Sequence, residues 1–527
     1  MKKKIFALML CALPLSMAAQ ETFDALQMSQ TELRGTSRFM SMAGAFGALG
    51  GDISSMTQNP AGIGVYRNSD LGVTFSLDFN GAKSPTDKLN KTRFNVNTFG
   101  YVGVIRLPGA MRSLNWGVSY NRLNSYNRRY TGYVGDIGSS ITNYVADYCN
   151  RSGAHIDDTY FDDAAPRIGY VSVGLLGNNG YRDILHAEGN KMAGMFNSKT
   201  YGTAEYLVNQ RGYTDEFNLT FAGNILDKVY WGVDLGIINL DYTTESYFIE
   251  AMNESTIQTD FETQATASEN TYSKVDYENY LHTDGTGINA KIGVIVKPIN
   301  ELRIGAAVHT PTYYKMRDLY SIYTYAEMYE NPGSDVALSS DFTGSAYYES
   351  DQVDYTIRTP WRFIGSVAGV IGTKGLLSLD YEYIGNQSIR VGDDGGHVYT
   401  DTRESIKDYL KPSHVIRIGG EYRINPSWSV RAGYSYKSGQ VKDAVSDGTE
   451  YIYTTGDNVS YEYEKNTQYI TAGLGYKHKA FYADLAYVHK NRTTVYNAYG
   501  PTAEAAGLNA EIKDQNNRVS LTLGVRF

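Results

Sequence analysis

The chain has 527 residues, 42% hydrophobic and 20% charged, with 53 Gly, 12 Pro and 2 Cys. Its 46 Tyr, 18 Phe and 4 Trp exclude a disordered polymer, and so much glycine excludes a bundle of long helices. A net charge of −9 argues against a nucleic-acid partner, because nothing offsets phosphate repulsion.

Lys2, Lys3 and Lys4, the apolar run Ile5 to Leu15 and the small residues around Ser16-Met17-Ala18-Ala19 read as a secretory signal peptide over 1–19. The apolar run is too short to span a bilayer. Its removal takes away three lysines, moving the charge from −9 to −12, and leaves Cys149 alone, so no internal disulfide forms. Residues 20–69 are rich in small side chains: the run Ser41 to Asp52 contains Phe46, and Asn59-Pro60-Ala61-Gly62 follows. Small residues suit close packing in a confined space, and Pro60 sets a turn.

From residue 70 onward, apolar and polar residues alternate. Leu377-Ser378-Leu379-Asp380-Tyr381-Glu382-Tyr383 is one example, and Val519, Leu521, Leu523, Val525 and Phe527 form another apolar face. Strands are expected at 70–80, 93–105, 112–124, 213–224, 228–242, 286–298, 302–314, 354–371, 375–385, 413–424, 428–438, 467–478, 481–491 and 516–527. Every second connection is short. The others are mostly long: 125–212, 243–285, 315–353, 386–412, 439–466 and 492–515. No stretch after the signal peptide is long and apolar enough for a transmembrane helix. An even strand number with short turns at one end and long loops at the other predicts an all-β, 14-stranded antiparallel transmembrane barrel over 70–527, with 20–69 as a plug in the lumen. Inward Arg417, Arg423 and Arg431 are expected to pair with Glu421, Asp380 and Glu382. The eight histidines are scattered, and neither H-E-x-x-H nor G-x-S-x-G occurs. No enzyme activity, cofactor or metal is expected.

The Gly/Ala-rich run, Asp52 with Ser54 and Ser55, and Asn59-Pro60-Ala61-Gly62-Ile63 resemble the hatch signature of the FadL/TodX family of outer-membrane transporters for long-chain fatty acids and other hydrophobic compounds. Leu302 to Pro311 and Thr359-Pro360-Trp361-Arg362-Phe363 are similar as well, and the order of segments matches over nearly the whole chain. The loop 125–212 departs from the family pattern by its length.

The resemblance implies uptake of fatty acids or other hydrophobic small molecules across the outer membrane of a Gram-negative bacterium. Ligand would land in a groove between outer loops, the hatch (Asn59, Pro60, Ala61, Gly62, Phe46) would shift, and the ligand would leave sideways into outer-membrane lipid. The matching loops hold Tyr247, Phe248 and Ile249, and then Met316, Leu319, Tyr320 and Tyr323, whose i, i+3, i+4, i+7 spacing predicts one apolar helical face. These are the expected groove residues, or else they pack together to close the mouth. The lateral opening falls on the third strand, with Gly117 as a candidate bulge or an ordinary lumen glycine. Phe527 is expected to be read by the barrel-assembly machinery. The alternative function is a barrel that holds a protein partner or host surface through its long, Tyr/Asn/Gly-rich loops.

Overall fold

The computed structural model describes residues 22–152, 186–188, 191–260, 265–267, 269–329, 344–349, 352–452, 454, 459–502 and 505–527. The signal-peptide expectation over 1–19 lies outside them. Fourteen strands form the wall: β1 Asp70–Lys83, β2 Lys88–Arg106, β3 Met111–Ser125, β4 Tyr201–Ile225, β5 Val229–Asn253, β6 Tyr272–Ile299, β7 Leu302–His309 continued by Tyr313–Tyr329, β8 Val353–Arg358 continued by Arg362–Ile371, β9 Gly375–Ile384, β10 Ser413–Arg423, β11 Trp428–Ser438, β12 Tyr461–His478, β13 Phe481–Tyr499 and β14 Leu508–Arg526. Neighbours pair antiparallel in chain order, and β1 closes on β14 from Asp70 opposite Arg526 to Lys83 opposite Lys513. Six short turns gather at one end with the C-terminus, as the connection lengths predict, while a further short turn, 84–87, joins β1 to β2 at the other end. Helix α1 (Thr22–Met28), helix α2 (Ser37–Ser41) and the 3-10 turns Ile53–Thr57 and Pro60–Val65 lie inside the barrel.

Low on the wall, the polarity of the strands is the reverse of a soluble protein's. Leu71, Leu77 and Phe79 of β1 are exposed while Thr74, Ser76 and Asp78 are buried. Val233, Leu235 and Ile237 of β5 are exposed while Asp234 is buried. Only a hydrocarbon surround makes this arrangement favourable, and an outward apolar belt is what a membrane barrel requires.

Above the belt, β4, β5 and β6 run on for about a dozen residues each, and their polarity switches. On β5 the inward side now carries Leu240, Tyr242, Phe248 and Met252, all buried, while Glu245 and Tyr247 face out. The inward residues join a large apolar cluster with Phe23 and Leu26 of α1 and Tyr126, Tyr130, Tyr320 and Tyr499, which closes the mouth.

Three expectations change here. The segments 201–212, 243–253 and 272–285, expected as loop, are strand, because their inward faces have an apolar core to pack on. Met316, Leu319, Tyr320 and Tyr323 lie on strand β7, so they divide by parity: Met316 and Tyr320 are buried and Leu319 and Tyr323 exposed, with no single helical face. Finally, β7 breaks at residues 310–312 and β8 at 359–361, where Pro311 and Pro360 have no N–H to give the ladder. Thr312 N donates to Thr359 Oγ1 (2.8 Å) and bridges the two breaks.

Candidate functional site

The plug descends from the mouth to the short-turn end, tied to the wall by charge. Arg34 pairs with Glu32 (2.9 Å) and Asp78 of β1 (2.8 Å), and Arg518 of β14 meets Asp78 (2.8 Å) and donates to the Leu33 carbonyl (2.7 Å). Lys490 of β13 reaches Glu32 at 2.5 Å. Lower down, Arg38 pairs with Glu421, which Arg431 also holds, and Arg431 continues to Asp484. Buried ions are tolerated only when paired in this way, so the network sets the plug's position more than it adds stability. The lumen arginines divide: Arg417 pairs with Glu382 and Arg431 with Glu421, whereas Arg423 is exposed.

The expected hatch residues come together. Asn59 caps the turn Pro60–Val65: its side chain accepts from Ala61 N (3.1 Å) and donates to the Gly47 carbonyl (2.6 Å). Pro60 takes the first position of the turn, where its missing N–H costs nothing. Asp380 of β9 accepts from Gly47 N and from the Gln58 side chain, both at 2.8 Å. Ala61 packs on Tyr230 and Ile295 of the wall, and Phe46 on Phe39, with ring centres 5.4 Å apart. Wall glycines make room for this backbone. A Cβ on Gly293 would sit 1.9 Å from Asn59 Oδ1, one on Gly232 2.5 Å from the Pro60 carbonyl oxygen, and one on Gly305 2.3 Å from the Gly47 oxygen. Within the plug, a Cβ on Gly62 would meet Ser55 at 2.6 Å.

Gly117 is not a bulge. It pairs regularly with Val102 of β2 and Thr220 of β4, and a Cβ there would meet Met56 of the plug at 2.8 Å. It is a lumen glycine that accommodates the hatch. The disruption of β3 lies five residues on. Pairing with β2 ends at Asn121 opposite Thr98, and the register with β4 shifts between Arg122 and Asn124. The chain then turns inward, carries Tyr126 into the mouth cluster, and continues as a short strand, Arg128–Val134, on β4. Among the described residues, Lys88–Val96 of β2 pairs with β1 alone, so the wall has a seam there. The plug touches the kink directly, through Glu32 N donating to the Leu123 carbonyl (2.9 Å).

Beneath the mouth is a cavity of about 160 Å³, lined by the plug segment Met28–Arg34, the kink residues Asn121–Asn124 and lumen residues such as His309 and Lys437. Eight Lys or Arg side chains face it against four Glu. A small-molecule pocket runs to roughly 300 Å³ or more, so this cavity has to widen before it takes a solute of that size. Of the expected groove residues, Phe248, Met316 and Tyr320 face inward into the mouth cluster, while Tyr247, Leu319 and Tyr323 face outward and Ile249 is half-buried. They do not form one groove. Sequence reasoning missed Arg34, Asp78 and the Arg122–Asn124 kink. An arginine in a segment otherwise rich in small residues was the available signal for the first; the kink left none, since Arg122–Ser125 reads like any strand end.

Neither a family model nor a curated protein matches this chain in sequence. Its fold aligns with the crystal structure of a Pseudomonas aeruginosa FadL homologue over 95% of this chain and 100% of that one, at 12% identity and a TM-score of 0.53. The Ralstonia pickettii toluene transporter TbuX aligns over 94% and 99% of the two chains, at 13% identity and a TM-score of 0.47. The P. putida toluene transporter TodX aligns over 94% and 99%, at 10% identity and 0.48. The chain has the FadL-type fold: a closed 14-stranded barrel with its N-terminal segment lodged in the lumen.

Proposed function

We propose that this protein is an outer-membrane channel of a Gram-negative bacterium for the uptake of hydrophobic small molecules, long-chain fatty acids among them. The observation that carries the reading is the seam: the wall is interrupted where the β3 kink borders the cavity under the mouth, with the plug hydrogen-bonded to the kink. An oily solute that leaves there enters lipid without a water step worth about 0.8 kcal/mol per CH₂. Capture requires the apolar cluster at the mouth to open, because Phe248, Met316 and Tyr320 are buried within it. Movement of the segment around Asn59 and Pro60 makes the room. The barrel is inserted by assembly machinery that reads Phe527, exposed beyond β14.

Mass spectrometry of lipids extracted from the detergent-purified barrel, against an unrelated barrel, tests this. Enrichment of fatty acid or another hydrophobic compound, lost when Asn59 and Pro60 are both changed to Ala, is the expected result. No enrichment in several detergents refutes it.

A further inference from the structure

Below the plug, the lumen opens toward the short turns as a vestibule of about 610 Å³. Its ceiling is the plug backbone from Leu49 to Gly51 together with Val65, and its sides are the inner faces of β7 and of β9 to β14. Alternation turns the charges of these strands inward. Arg303 shares its parity with buried Ala307 and His309, Arg423 with buried Val415, and Lys477 with buried Thr471, while Lys374 lies in the turn before β9.

The acids at this end are already engaged. Glu421 and Asp484 line the vestibule, the first held by Arg38 and Arg431 and the second by Arg431. Asp70 is held by Arg526 (3.1 Å) and by the Tyr482 hydroxyl (3.0 Å). Asp52 of the plug accepts from Thr36 Oγ1 (2.7 Å) and Ser54 N (2.9 Å). Glu301 and Asp227, in the neighbouring turns, do not line the vestibule. Arg303, Lys374, Arg423 and Lys477 therefore face it with no carboxylate among the described residues.

Lys374, Arg423 and Lys477 are exposed at the rim, where water serves them as well. Arg303 is different. It donates through Nη1 to the Leu49 carbonyl (2.5 Å), and its Nε is buried with no partner. Buried polar nitrogens are almost always satisfied, and a guanidinium is satisfied best by an acid that takes two N–H groups at once. The other lumen arginines beside the plug, Arg38, Arg431 and Arg518, each meet such an acid. Arg303 also lies three strands, about 14 Å, from Arg423 along the wall, so a ligand with more than one acidic group serves both. The volume suits a small molecule.

We propose that the vestibule is a binding site for a small, soluble anion carrying two or more carboxylate or phosphate groups, one on Arg303 and the rest on Lys374, Arg423 and Lys477. The site is separate from the cavity under the mouth and does not depend on which solute crosses the lumen.

Isothermal titration calorimetry of the full-length barrel in a neutral detergent at low salt, with citrate, pyrophosphate and acetate as ligands, tests the assignment. Citrate or pyrophosphate is expected to bind about tenfold or more tighter than acetate, and the tighter of the two names the acid as carboxylate or phosphate. That preference should be lost in K374Q/R423Q/K477Q, at exposed side chains, and in R303Q. It should be kept in K83Q/K315Q/K407Q, which removes as much exposed charge at the opposite end. Heat-modified gel mobility establishes that each variant is still a closed barrel, and the exposed triple variant decides alone if R303Q is not. No preference over acetate, a preference unchanged in the folded variants, or an equal loss in the charge-matched variant overturns the site.

Discussion

The lower barrel and its upper extension are built from the same strands with opposite interiors. Below, β5 turns Val233, Leu235 and Ile237 outward and Asp234 inward; above, it turns Glu245 outward and Phe248 and Met252 inward. The backbone is continuous and the parity unbroken, so only the surroundings differ. Hydrocarbon covers the lower wall and a charged plug fills it, whereas water surrounds the upper wall and an apolar cluster fills it. The switch, near Ile237 and Ile238, marks the outer face of the membrane more sharply than any change in backbone does.

The comparison breaks most visibly if the lower interior does not need its charges. Arg34→Ala leaves Asp78 and Glu32 short of a buried partner and should cost about 3–5 kcal/mol of plug docking, read as protease cleavage within residues 22–66. Unchanged protection would mean the ion pairs do not hold the plug. Next, Val233→Arg in the middle of the belt should cost roughly 2–4 kcal/mol in denaturant unfolding from lipid vesicles, while Tyr247→Arg on the same outward parity should cost no more than about 0.5 kcal/mol. Equal costs would remove the membrane boundary from its assigned place.

The upper interior carries a sharper test. Glu250, on the part of β5 well above the belt, is buried against the start of helix α3 (Ile141–Ser152). Ser140 donates to it, and Ile141 N lies at 3.3 Å. Burial pushes its carboxyl up to about 7, against the pull of those hydrogen bonds. Because the folded value lies above the unfolded one, the stabilisation is full below the unfolded value of 4.5 and is lost as pH rises through 7. Hydrogen exchange over residues 141–146 should accelerate between pH 5 and 8 by an amount worth on the order of 2–3 kcal/mol, and Glu250→Gln should flatten the profile. A pH-independent wild type, after correction for intrinsic exchange, contradicts the assignment. The smallest effect is at the hatch cap: Asn59→Ala should cost about 1 kcal/mol, seen as faster exchange at Ala61 and Gly62 with the barrel intact.

The strand count, the even topology, the end with short turns and the plug were all legible in the chain, because a membrane barrel must alternate and the hatch must be small. The limits of the strands were not. Reading stopped at Tyr242 and resumed at Thr286 because the alternation changes sense there, and a pattern whose apolar residues move to the other face looks like an ending. The spacing Met316, Leu319, Tyr320, Tyr323 fits a helix as well as two faces of a strand, and nothing local decides between them.

By itself, then, the sequence determined which residues alternate, and so that the chain must close into a barrel around its own N-terminus. The tertiary structure decided which face of each strand is inside, where β3 leaves the wall, and which lumen cation meets which plug carboxylate. Those outcomes depend on what lies across the lumen or the seam, often hundreds of residues away in sequence, as Glu32 lies from Lys490. Alternation is a local constraint imposed by backbone geometry; register against a plug is settled only when the sheet has closed and every buried charge has found its partner.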